Sequence, residues 1–454
     1  MKVSKWKVLS IAGALVLSYA VASDAAQIKV DDDTFADFGL WMKVMYNNLD
    51  EREGDDYNKN VIDVIDARFT IEGQINKVVQ FYGEAVSTGA YDEEVYEDLG
   101  VFHRDADFRL AEGGVNLVAA PELQLRIGKI RIPFTRMQLA DEYARINPIE
   151  PLNDPQGIVT GILGHTGIVY TPVGKSILIS NNSNNNEILS DGGGGEEEKV
   201  ISIYTPNLLR FVDGGAVLHG DIAEGMLRYN IGVFNQGTDD QPLNSICWAA
   251  RVEFTPTMAG FNPETTSTPK GWLKDSYLGK KGDILTIGVG YLSQDIDPDL
   301  DEDTYKELDV DAYTVDFFLE KKFYPAILNI EAAYINLNES HLKPNEDLKI
   351  SLDSKKGDTY FWYAQGQLLY DGVVGIGKPA IFAKYEYGEL DATDGDLEWS
   401  AWGAGINYYI EGNAARLSAG FTNVSYDELA EEILDAANME DNITDWYIQA
   451  QIMF

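Results

Sequence analysis

Four basic residues stand close together at Arg126, Lys129, Arg131 and Arg136, in the stretch LQLRIGKIRIPFTR, with no acid between them. Such a row donates charge-assisted hydrogen bonds, for which carboxylate and phosphate oxygens are the matching acceptors. Read as a strand, 123–132 has Leu123, Leu125 and Ile127 on one face and Gln124 and Arg126 on the other. The apolar phase then moves to Ile130 and Ile132, and a β-bulge at Gly128-Lys129 would account for the slip. With that bulge, Arg126, Lys129 and Arg131 share the polar face. Further arginines at Arg68, Arg109, Arg228 and Arg251 alternate with Asp66, Glu72, Glu84 and Glu253. For these, salt bridging within a polar interior competes with ion binding.

Other chemical signals are weaker. GVVGIGKP (372–379) mimics a phosphate loop, but Pro379 occupies the hydroxyl position and a strand pattern follows instead of a helix. Asp295, Asp297 and Asp299 have calcium-loop spacing, yet Leu300 replaces the needed Gly and Lys306 the bidentate Glu. His103, His165, His219 and His341 are the only histidines, and no two have metal-ligand spacing. Cys247 is the single cysteine, so no internal disulfide forms, and CxxCH is absent. No cofactor is expected. No serine or aspartate set points to a catalytic histidine, so an enzyme is not expected either.

The elements that would carry these residues are strands. Segments of roughly 9–14 residues with period-two apolar alternation fall near 35–48, 61–74, 77–88, 105–119, 122–132, 214–222, 225–235 and 245–255. The second half adds 282–293, 309–320, 325–337, 358–370, 377–389, 397–410, 414–425 and 443–454. That makes sixteen, an even number as a bacterial single-chain membrane barrel requires. Short turns alternate with long polar loops, except that 256–281 is long where a short turn belongs; it is expected to be an insertion on the turn side, the alternative being a strand count off by one hairpin. A two-sheet sandwich shares the same periodicity, and the end of the chain favours the barrel. The terminal WYIQAQIMF puts Trp446, Ile448, Ala450, Ile452 and Phe454 on a lipid face, with Tyr447, Gln449 and Gln451 inward.

Charge and targeting agree with that reading. Residues 1–22 combine three lysines, an apolar run and Ala20-Val21-Ala22, the pattern of a Sec signal peptide cleaved between 22 and 26. Residues 23–34 form a short leading segment and 35–454 the barrel. Removing the leader takes the formal charge from −39 to about −42. Acids cluster in loops, as in DEREGDD (50–56), DEEVYED (92–98), DIDPDLDED (295–303) and DELAEEILD (427–435). Ser425 and Glu428 form a capping box for a short helix in the last of these. A Gly/Asn/Glu-rich patch starts at Asn181, and 163–172 with 198–206 could pair as an added hairpin. Nucleic acid is excluded as a partner by the acidity.

Several stretches resemble the phosphate-selective porin O and porin P family of Gram-negative outer membranes. They are ARFTIEGQINKVVQFYGEAV (67–86), the RIGKIRIPF run entering the third loop, DGGAVLHGDIAEGMLRYNIGVFNQG (213–237) with ARVEFTP (250–256), and GINYYIEGNAARLSAGF (405–421). The resemblance implies a sixteen-stranded all-β transmembrane antiparallel barrel, a homotrimer, and a long third loop (133–213) folded towards the pore. It also implies insertion by the outer-membrane assembly machinery, with Phe454 and Trp446 in the assembly signal, and contact with lipid and lipopolysaccharide. The expected function is passive diffusion of small ions and solutes, anion- or phosphate-preferring through the basic row. Two departures stand against the phosphate label: the third loop is far longer than the family's, and the net charge is strongly negative. The alternatives are a cation-preferring pore dominated by acidic loops, or a barrel sheathing a multi-haem cytochrome.

Overall fold

The computed structural model describes residues 26–49, 59–91, 104–148, 212–235, 246–264, 271, 273–296, 308–340, 359–390, 397–426 and 442–454. The expected leader (1–22), the acidic loop tips, the low-complexity patch and the 163–172 and 198–206 segments lie outside these residues. So do the calcium-like run beyond Ile296, the loop helix after Ser425, and His103, His165 and His341.

The described chain forms seventeen strands: β1 (Ala26–Lys29), β2 (Phe35–Leu49), β3 (Lys59–Gln74), β4 (Val79–Tyr91), β5 (Arg104–Ala120) and β6 (Leu123–Arg131). There follow β7 (Val212–Ile222), β8 (Leu227–Phe234), β9 (Cys247–Phe254), β10 (Ile284–Ile296), β11 (Leu308–Phe323) and β12 (Ala326–Ser340). The set ends with β13 (Thr359–Tyr370), β14 (Lys378–Leu390), β15 (Leu397–Tyr409), β16 (Ala415–Tyr426) and β17 (Asn442–Met453). Each of β2–β17 pairs antiparallel with its sequence neighbours, and β17 pairs back onto β2 from Met453↔Trp41 to Trp446↔Asn48. The sixteen strands therefore close on themselves and leave no free edge in the ring. The sixteen expected segments coincide with β2–β17. Strand β1 was not anticipated; it makes a short hairpin with the start of β2, Lys29 opposite Phe35.

Alternation fixes the two faces of the wall. On β17, Trp446 and Ile448 are exposed, while Tyr447, Gln449 and Gln451 are buried inside. On β9 and β10 the exposed set is Trp248, Val252, Ile287 and Val289, and the buried set includes Arg251, Glu253 and Thr286. The outer wall is thus apolar and the inner wall polar, the inverse of a water-soluble barrel. No helix among the described residues is long and apolar enough to cross a membrane.

The expected bulge at Gly128-Lys129 is not formed. Pairing runs without a slip through Val115↔Ile127, Gly114↔Gly128 and Gly113↔Lys129 on one side, and through Gly128↔Gly215 to Ile130↔Asp213 on the other. Lys129 consequently shares the outer face with Ile127, is exposed, and donates to the Leu110 carbonyl at 2.8 Å. Ile130 and Ile132 are fully buried. The apolar phase changed because apolar residues fill the interior here, not because the backbone slipped. True register shifts occur at Lys43/Val44, Glu84/Ala85 and Val118/Ala120.

Candidate functional site

Beyond Arg131 the chain turns into the barrel. Residues 131–140 and 143–148 are buried throughout, with Asp141 and Glu142 partly accessible. Thr135 starts a single helical turn, α1 (Arg136–Leu139), through a capping box: its hydroxyl accepts from Gln138 N, and Gln138 Oε1 accepts from Thr135 N at 2.8 Å. The RIPFTRMQL stretch is therefore a strand end, a Pro-containing corner and a capped turn. This local grammar aims Arg136 away from the wall it leaves.

The segment 132–148 is held by both sides of the ring. At one side, Phe134 O accepts from Arg251 Nη1 (2.9 Å) on β9, and Asp316 on β11 accepts from Arg136 N (3.0 Å). At the other, Gln451 on β17 donates to Tyr143 O (2.7 Å), Arg416 on β16 to Arg145 O (2.6 Å), and Asn407 on β15 to Ile146 O (2.8 Å). Lys43 on β2 donates to Glu142 O at 3.2 Å, and Arg68 on β3 pairs with the Glu142 carboxylate. Backbone carbonyls that leave water need such partners. Because the donors sit on strands around the circle, the segment spans the lumen.

The expected site arginines take definite places. Arg68 is bonded to Asp66 (2.7 Å) and Glu84 (3.2 Å) besides Glu142. Arg131 is held by Glu112 (3.1 Å) and by the carbonyls of Gln138 and Ala140. Arg136 lies between Glu264 (2.7 Å) and Glu331 (3.1 Å), its guanidinium 3.6 Å from the Phe318 ring centroid. Arg228 chelates Asp221 through two bonds of 2.5 and 2.6 Å. Arg251 binds Asp316 through both Nη atoms (2.5 and 2.7 Å) and Glu253 through Nε (2.8 Å). Arg126 is fully buried on β6, across from Asn116 and Val217. Arg109 sits on β5 opposite Val86, its side chain outside the description. His219 is buried against Asn116 at 2.9 Å. Phe454 pairs through its backbone with Leu40, and Trp446 faces outward with its ring 5.0 Å from that of Phe421.

The carboxylates that complete these pairs come mostly from residues sequence reasoning left aside: Glu112, Glu142, Glu264, Asp316 and Glu331. Glu112, Asp316 and Glu331 could have been found by carrying strand parity through β5, β11 and β12. Glu264 has no such signal, because it belongs to the long connection between β9 and β10. Away from the wall, burial opposes the charge on Arg136, but Glu264 and Glu331 outweigh it and hold the guanidinium above its usual range. Burial likewise disfavours the Glu264 carboxylate, and Arg136 with Lys274 overcomes this to keep it below the ordinary value.

No family model matches the chain, and no curated protein sequence matches it. Among solved structures, the outer-membrane-expressed OmpT of Vibrio cholerae is similar at 12% identity and a TM-score of 0.49, covering 94% of this chain and 100% of that one. The anion-selective porin from Comamonas acidovorans gives 10% identity and a TM-score of 0.47, over 93% and 100%. OmpF of Salmonella typhi, in complex with daunomycin, gives 12% and 0.46, over 94% and 100%.

Proposed function

We propose that the chain is an outer-membrane porin for passive diffusion of small ions and solutes, without catalytic chemistry. The observation that carries this is the closed ring with an apolar outside and a polar inside, crossed by a segment fixed to both walls. Sixteen to eighteen strands enclose a water-filled lumen in such barrels, and a segment spanning it narrows the passage without chemical steps. The same reading entails Sec export, contact with lipid and lipopolysaccharide, insertion by the assembly machinery through the strand ending at Phe454, and a homotrimer.

A phosphate or anion preference, which the porin O and porin P resemblance implies, would need the arginines to exchange carboxylate partners for the permeant anion. Arg68, Arg131, Arg136, Arg228 and Arg251 are each already bound to at least one carboxylate. Among the described residues of the crossing segment the partly accessible charges are both acids, Asp141 and Glu142, the latter shared with Arg68. This favours the second reading, a weakly cation-preferring pore. Reversal potential in a salt gradient across a planar bilayer decides between them: a cation-signed potential, with current insensitive to added phosphate, is expected. An anion-signed potential with phosphate block would establish the first. Absence of any channel current from folded protein would refute the porin reading itself.

A further inference from the structure

We propose that the connection between β9 and β10 is a second constriction element, entering the lumen from the turn end and docked onto the segment 132–148 so that the two jointly set the size limit. This rests on the porin reading and deepens it. Strands β9 and β10 are direct neighbours, with Phe254 opposite Ile287. Hairpin neighbours need only about 2–5 connecting residues, yet this connection runs from 255 to 283. Its first turn, around Met258, is exposed, but residues 274–278 are buried apart from the partly accessible Asp275.

Lys274 lies beside Ala140 in a parallel bridge: its N donates to Leu139 O at 2.8 Å, and its O accepts from Asp141 N at 3.0 Å. Ser276 N continues the contact to Ala144 O at 3.2 Å. The Lys274 ammonium is buried between Glu253 on β9 and Glu264 of its own connection, and Arg136 bonds both Glu264 and the Asp275 carbonyl (2.8 Å). Past this junction the connection reaches the wall beyond β11. Leu278 packs with Ile327, Leu369, Ala380 and Tyr409, on β12 to β15. Glu320 accepts from the backbone N–H groups of Leu278 (3.0 Å) and Gly279 (2.6 Å). Asn413, in the turn between β15 and β16, donates to Asp275 Oδ1 and Ser276 O.

The connection therefore starts on β9 and is fastened to β12–β16 before returning to β10. The crossing segment meets turn-end residues only at Asn407, Arg416 and Gln451 on β15–β17, and alone would leave the turn-end section beside β12–β14 open. The docked connection occupies part of that section, and buried ion pairs with mutual hydrogen bonds join the two into one body. Removing one partner of such a pair leaves a buried charge uncompensated, so each insert depends on the other for its position.

The test compares wild type with a variant in which 257–281 is replaced by an Asn-Gly turn, using single-channel conductance and liposome swelling with sugars of increasing size. Conductance is expected to rise about twofold or more, as a partly filled section of so wide a ring opens, and larger sugars to enter. Equal conductance and an equal size limit would overturn the proposal. Should that variant not fold, A144C/S276C in a C247A background tests docking directly and spares the ion pairs, since the hydrogen bond from Ser276 N to Ala144 O (3.2 Å) places the two positions within disulfide reach. Spontaneous cross-linking with conductance unchanged supports the docked constriction; absence of the cross-link in folded, conducting protein overturns it. A silent wild type would count against the porin reading, and is distinct from a conducting wild type that the replacement leaves unaltered.

Discussion

At the scale of single residues, the interior is governed by paired charge. Arg136 illustrates it, with Glu264 and Glu331 on either side and almost no solvent. Substituting Arg136→Ala leaves two buried carboxylates facing one another and frees the Asp275 carbonyl. Losses of about 3–5 kcal/mol follow when one partner of a buried pair is removed, so urea unfolding in detergent is expected to shift markedly to lower denaturant. The double variant R136M/E264M should recover part of that loss. Asp275 behaves differently. Burial, reinforced by Asp141 and Glu320 and opposed by Arg136 and Lys280, pushes its carboxyl up to about 8. A carboxyl whose folded value is raised binds its proton more tightly in the folded state, so folding is favoured at low pH and the benefit is lost as pH rises through about 4 to 8. Thermal stability of wild type is expected to fall between pH 5 and pH 8.5, and D275N should flatten that part of the profile; an unchanged slope in D275N would assign the effect elsewhere.

At the scale of elements, strands were legible because parity is local. Trp446, Tyr447, Ile448 and Gln449 declare their faces within four residues, and the structure keeps every one. The ion pairs were not legible because their partners are remote: Arg251 meets Asp316 across 65 positions, and Arg136 meets Glu264 across 128. The connection 256–281 was recognised as an insertion on the turn side, but nothing in its residues announced that it bends inward. Gly128 shows how a correct signal acquired a wrong cause. The change of apolar phase was real, and it reflects Ile130 and Ile132 filling the interior. Gly128 itself is required by a φ of +149° and by Gly113 O, which would lie 2.2 Å from an added Cβ. G128A is therefore expected to disturb the β5–β6 pairing and lower the yield of heat-modifiable, folded barrel, whereas G214A, with open space at the Cβ position, should fold as wild type.

At the scale of the whole molecule, the two faces of the wall obey opposite rules, and Lys129 separates them in one experiment. Had the bulge formed, Lys129 would belong to the basic row inside, and its removal would shift ion selectivity. In the observed register it stands with Ile127 on the apolar outside, its ammonium on the Leu110 carbonyl. A lysine facing lipid costs about 2–4 kcal/mol at the midplane and about 0–1 near the interface. K129L should thus leave conductance and reversal potential unchanged while raising stability in lipid by an amount within that range. A selectivity change without a stability gain would return Lys129 to the lumen and restore the bulge. Inside the ring the same exchange has the opposite sign: K274L removes one of two cationic partners from each of Glu253 and Glu264, so it should destabilise the barrel and loosen the inserts. That contrast follows from an architecture in which interior charge is met by opposite charge or by hydrogen-bond partners, as at Lys274 and Glu320, while the outer face offers neither in lipid.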